Sequence, residues 1–216
     1  MEKYISSLIE KTPMREQPYF QRLLNKTMNK NQFIETQVYI LRAVEEFSRP
    51  MFLISSKLET YEERMVLLKN ILDEHGNCVI EKTHGNTYKQ YLTQLGAKEK
   101  DFMLKKQHPS VVTYNKTLMN CAENESTKTS LAMMGIIESR YSTISTIIVQ
   151  SILNNGWIDK ESLAHYSTHE DLDIEHAKGF YDLIREGWEN SFSKNEIKKG
   201  LLLGNSTIIN LYNNLL

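Results

Sequence analysis

The stretch His169-Glu170-Asp171-Leu172-Asp173-Ile174-Glu175-His176 places His169, Asp173 and His176 at positions i, i+4 and i+7. At about 100° per residue these three fall within roughly a 60° arc of an α-helix, while Glu170, Asp171 and Glu175 point elsewhere. Two neutral imidazoles and a carboxylate suit iron, manganese or zinc, and mixed nitrogen and oxygen donors are typical of redox-active non-haem iron. The competing reading is a solvated helix face that happens to carry two histidines, since short motifs often match by chance. Acids and histidines on other apolar helical segments weigh against it. Thr168, with Asp171 three residues on, predicts an N-cap, so the ligand run is expected to open its helix and to be prone to local opening without metal.

Working outward, nine glycines and four prolines in 216 residues leave few breaks, and the apolar positions repeat with helical period. An all-α chain is expected, with helices at about 2–11, 17–28, 30–56, 60–74, 78–95, 109–122, 126–154, 159–166, 168–189 and 193–214. Breaks fall at Pro13, Gly76, Gly96, Pro109 and Asn154-Asn155-Gly156. No internal repeat or linker divides the chain, so residues 1–216 are read as one domain, long enough to bury a core without staples.

Two further segments supply ligands. Glu81 and His84 form an E-x-x-H pair one helical turn apart, a spacing used by diiron four-helix proteins. Glu74 lies seven residues before Glu81 and joins that face if the helix runs through Gly76, so either acid is a candidate partner for His84. The alternative for Glu81, beside Lys82, is a solvated acid. Glu138 sits within Leu131-Ala132-Met133-Met134-Gly135-Ile136-Ile137-Glu138-Ser139-Arg140-Tyr141, where a lone carboxylate is costly to bury unless paired or metal-bound. Its competing reading is a buried salt bridge to Arg140 or Arg42. Six ligands from three helices suffice for two ions with positions left open for dioxygen. Met134, Tyr141, Phe47 and Phe52 are candidate pocket residues, Glu138 and Tyr141 candidate catalytic ones, and Arg42, Arg49 or Arg140 a candidate anchor for a substrate carboxylate. Glu45 and Glu46 read as ion-pair partners of Arg42 or Arg49 in preference to an extra metal ligand. His75, His108 and His165 rank as surface or outer residues.

The net charge of −1 and the pI near 6.6 carry no electrostatic footprint for nucleic acid. Cys78 and Cys121 lack zinc or redox spacing, which fits a reducing cytoplasm. The apolar stretch around 144–153 is too short and too rich in Ser and Thr to span a bilayer, so no membrane partner is expected.

The ordered set of Asp73-Glu74, a following His84, Glu138 on an apolar helix and Thr168-His169-Glu170-x-x-Asp173-x-x-His176-Ala177 resembles the haem-oxygenase-like diiron oxidases. These share a single-domain helical bundle with the thiaminase-type and pyrroloquinoline-quinone-synthase-type proteins. The resemblance runs from Gln17-Pro18-Tyr19-Phe20 through Tyr91-Leu92-Thr93-Gln94-Leu95-Gly96 to the His169 segment. It implies iron ligands at Glu74, His84, Glu138, His169, Asp173 and His176, with Glu81 a substitute or seventh ligand, and two Fe(II) ions, or manganese, with dioxygen as co-substrate. Also expected are a small organic substrate, amino-acid-like or fatty-acid-like, an external reductant and a homodimer. The most similar branch makes para-aminobenzoate for folate synthesis by consuming its own side chains. Where that branch carries a tyrosine and a lysine, this sequence carries Phe20 and Ile148, which favours an external substrate. Competing expectations are a metal-independent cofactor-biosynthesis enzyme and a non-catalytic interaction protein of the same fold.

Overall fold

A computed structural model describes residues 1–103, 108–158 and 164–216, with side chains in the last stretch from residue 174 onward. The eleven α-helices it contains are α1 (Glu2–Lys11), α2 (Pro18–Leu24), α3 (Lys30–Glu46), α4 (Ser48–Ser56), α5 (Tyr61–Glu74), α6 (His84–Leu95), α7 (Glu99–Phe102), α8 (Pro109–Asn124), α9 (Thr127–Asn154), α10 (Ala164–Ile184) and α11 (Ser191–Asn213). Short 3-10 turns join several of them, and no strand occurs among the described residues. None of the described helices is long and apolar enough to cross a membrane.

Local signals start these helices. Asn29 and Gln32 form a reciprocal capping box on α3, as Thr60 and Glu63 do on α5, while the Ser126 hydroxyl accepts from the Thr129 amide at the start of α9. Each such cap satisfies amides that the first helical turn leaves without a partner. Every residue from Leu131 to Glu138 is buried, so α9 is apolar around its whole circumference and forms the central post. It packs chiefly against α10 and α11. The α11 contact is backbone to backbone: a Cβ on Gly200 would lie 2.1 Å from the Thr129 carbonyl oxygen, and one on Gly204 2.6 Å from that of Met133.

Two buried polar networks tie the periphery to this post. Arg140 of α9 is fully buried; its Nε donates to Asn205 Oδ1 on α11 at 2.7 Å, and its Nη2 to Thr12 Oγ1 at 2.6 Å. The same guanidinium reaches the Leu8 and Ile9 carbonyls, closing the C-terminal end of α1, and burial pushes its pKa down to about 10. Elsewhere the Tyr19 hydroxyl lies 2.7 Å from Thr36 Oγ1 and accepts from Gln37 Nε2, whose Oε1 accepts from Tyr88 at 2.7 Å, joining α2, α3 and α6.

Three expected boundaries differ from those observed. The helix read over 30–56 is two, because Pro50 has no amide to donate to the Glu46 carbonyl and its ring crowds that turn. The helix read over 78–95 begins only at His84; residues 76–82 form two 3-10 turns, with positive φ at Gly76, Asn77 and Cys78. The helix read over 168–189 begins at Ala164 and ends at Ile184, so Thr168 is an interior residue and the ligand run does not open its helix. Of the segment read as 159–166, residues 159–163 lie outside the described residues.

Candidate metal centre

Glu74 is the last residue of α5, Glu138 lies mid-way along α9 and His176 sits on α10; all three are buried, and one ligand atom from each falls within 4.8 Å of the others. His84, the first residue of α6, places Nδ1 2.7 Å from Glu74 Oε2. The 3-10 turns make this possible. Gly76, at φ +59°, lets the chain reverse so tightly that a Cβ there would lie 2.4 Å from the Lys82 carbonyl carbon, and the reversal returns His84 to the end of α5.

The same reversal separates Glu81 from the cluster. A continuous helix would have stacked Glu81 above Glu74; instead it is exposed in the turn Ile80–Lys82 and lines a surface cavity of about 580 Å³ with Glu45 and Lys89. Of the two acids considered beside His84, Glu74 is the one in contact with it. His169 and Asp173 stand seven and three residues before His176 on α10, but their side chains lie outside the described residues.

His176 has a defined polarity. Its Nε2 lies 3.1 Å from Asp73 Oδ2, whereas its buried Nδ1 has no hydrogen-bond partner among the described residues and has Glu138 Oε1 at 3.8 Å. With the Nε2 proton held by Asp73, the lone pair sits on Nδ1, facing the carboxylates. A ligating histidine oriented by an outer carboxylate is a recurrent device at metal centres. Two carboxylates buried this closely repel when both are ionised, so they call for positive charge between them. The donor set and the lone nitrogen fit a hard or borderline cation such as ferrous iron. Asp73 was quoted in the sequence without a role, because adjacent acids on a helix point about 100° apart and only the packing of α10 against α5 brings Asp73 onto His176.

The surroundings differ from several expectations. Arg140 and Arg42, weighed as partners of Glu138, are engaged elsewhere: Arg140 in its own network, Arg42 with Glu46 at 2.6 Å and Glu45 at 3.4 Å. Arg49 lies 3.8 Å from Glu46. Met134 and Phe47 are buried, with Tyr141 edge-on to Phe47, whereas Phe52 is half exposed and edge-on to His75. His108 caps α8, and His75 Nδ1 lies 2.8 Å from the Ile71 carbonyl. Missed by the sequence reading was Tyr114 on α8: it is fully buried, and burial first, then the charges of neighbouring Tyr212, Glu138 and Glu74, push its phenol well above the ordinary range against a lowering contact from Tyr141.

Residues 36–200 match the family described as iron-containing redox enzyme. The chain belongs to that family. It is 22% identical over 177 residues to a 4-aminobenzoate synthase of Chlamydia muridarum, covering 81% of this chain and 73% of the relative. A 4-aminobenzoate synthase of Chlamydia trachomatis is 25% identical over 138 residues, covering 62% and 58%. Among solved structures, a CADD-like protein of unknown function from Nostoc punctiforme superposes with a TM-score of 0.81 at 17% identity, covering 99% of this chain and 94% of that one. A domain with a haem-oxygenase-like fold from Shewanella denitrificans gives 0.78 at 12% identity over 99% and 88%, and a TenA homologue from Pseudomonas syringae gives 0.76 at 11% over 99% and 91%. The fold is therefore haem-oxygenase-like, as the ordered motif set implies.

Proposed function

We propose that this iron-family chain is a diiron enzyme that uses dioxygen to oxidise a small organic substrate. The observation that carries the reading is the convergence of Glu74, Glu138 and His176 from three helices, with a buried ring nitrogen on His176 that has no hydrogen-bond partner among the described residues. Glu74, His84, Glu138 and His176, joined by His169 and Asp173 of α10, would hold the metals. Ferrous iron held there would supply the redox chemistry for dioxygen activation, with an external reductant as the source of further electrons. Glu138 of α9 would contribute its carboxylate beside that of α5 and the imidazole of α10. Asp73 holds the His176 proton on Nε2 so that Nδ1 stays available as a donor. The apolar flank of α9 excludes water from the carboxylates. Anaerobic titration with ferrous iron tests the reading: binding is expected to saturate at two ions per chain, and saturation at one overturns it.

A second reading takes up the names of the Chlamydia relatives. Phe20 and Ile148 are both buried and carry neither phenol nor amine, but Tyr114 brings a phenol within the influence of Glu74 and Glu138. Intact-mass measurement after supplying ferrous iron, reductant and oxygen without substrate separates the two. Loss of a side-chain fragment with release of an aromatic amine favours synthesis of 4-aminobenzoate from the chain itself; an unchanged mass favours an external substrate.

A further inference from the structure

Among the described residues only two buried side-chain nitrogens lack a hydrogen-bond partner, Nδ1 of His176 and Nδ2 of Asn70. The first is the lone pair of the candidate centre. The second is an amide donor on α5, where Asn70 is 3% exposed and shares the inner face with Leu67, Ile71 and Glu74. A buried donor without an acceptor is destabilising, and leucine, of similar shape, would fill the same place without that cost.

Helix geometry turns Asn70 toward the cluster. It stands three residues before Asp73 and four before Glu74, so both acids are its neighbours on the helix surface, one to each side. Asp73 Oδ2 lies 3.1 Å from His176 Nε2, and Glu74 Oε2 lies 2.7 Å from His84 Nδ1. With both acids committed to histidines, neither serves the Asn70 amide. Side chains on a helix lean toward its N-terminus, which carries the Glu74 carboxylate back over the turn that holds Asn70. A cation among Glu74, Glu138 and His176 would draw on that carboxylate, and ligating carboxylates are in turn held by hydrogen bonds. Its two oxygens can accept several donors, and the spare one on its own helix face is Asn70 Nδ2. We infer that Asn70 is a positioning residue for Glu74, donating from Nδ2 to the Glu74 carboxylate when that carboxylate holds a cation. The inference rests on the metal-binding reading above.

Anaerobic calorimetry with ferrous iron and urea unfolding of the iron-free full chain separate this role from a merely structural one. Asn70→Leu is expected to weaken iron binding about 10-fold while leaving the iron-free unfolding midpoint unchanged or higher. With zinc, which binds such sites more tightly and keeps weakened ones measurable, Asn70→Leu should again weaken binding in the unmodified chain but add nothing in a Glu74→Ala background, where its acceptor is gone. Unchanged iron affinity in Asn70→Leu, a lowered iron-free midpoint, or an undiminished further loss in the Glu74→Ala background overturns the inference. Failure of the wider reading looks different: the unmodified chain then saturates at one iron or binds none, and in the second case the inference falls with it.

Discussion

Two kinds of buried polar cluster occupy this molecule, and they are built on opposite rules. Around Tyr19, Thr36, Gln37 and Tyr88, and again around Arg140, Asn205 and Thr12, hydrogen bonds close on one another, and neither cluster holds a carboxylate. At Glu74, Glu138 and His176 two acids converge and an imidazole nitrogen is left over. A completed network rigidifies and specifies the fold, whereas concentrated charge with spare donor capacity costs stability in the bare protein. The closed clusters hold helices in place. The unclosed one has the make-up of a binding site.

Substitutions can break or sharpen this contrast. The largest effect on the fold is expected at Arg140→Ala, which strands the Asn205 oxygen and the end of α1 and leaves a cavity; urea unfolding should register a loss of about 3–5 kcal/mol. Glu138→Gln should do the reverse, lowering ferrous-iron affinity by more than about 100-fold by calorimetry while leaving the metal-free unfolding midpoint unchanged or higher, because a repulsive charge is removed. If Glu138→Gln instead lowers metal-free stability as Arg140→Ala does, the two clusters are not different in kind. Asp73→Asn, which weakens the orientation of His176 without removing a ligand, should cost about 10–100-fold in iron affinity. Tyr19→Phe should cost only about 1–2 kcal/mol, with iron affinity unmoved.

The sequence carried the fold further than it carried the site. The uninterrupted apolar run before Glu138 identified the central helix because no other arrangement hides every face of such a segment. The His169 run identified its own helix, yet Thr168 misled: a residue type favoured at helix starts also occurs inside helices, so it does not by itself fix where one begins. Glu81 shares a face with His84 only if both lie on one helix, and the 3-10 turn at Ile80–Lys82 removes the periodicity on which that pairing rested. Asp73 was illegible as a site residue because it reaches His176 by packing between helices distant in sequence, for which local spacing holds no signal.

The glycines of α11 bear on how the candidate centre is held. With Gly200 and Gly204 seated on the carbonyls of Thr129 and Met133, α9 cannot slide along α11 without driving backbone into backbone, so the height of Glu138 is indexed like a notch on a ruler. No such notch grips the end of α5, where Glu74 gives way directly to the reversing turn. Glu138 is thus the datum of the candidate centre, and any adjustment that an ion bound there would demand would fall to α5 and α10.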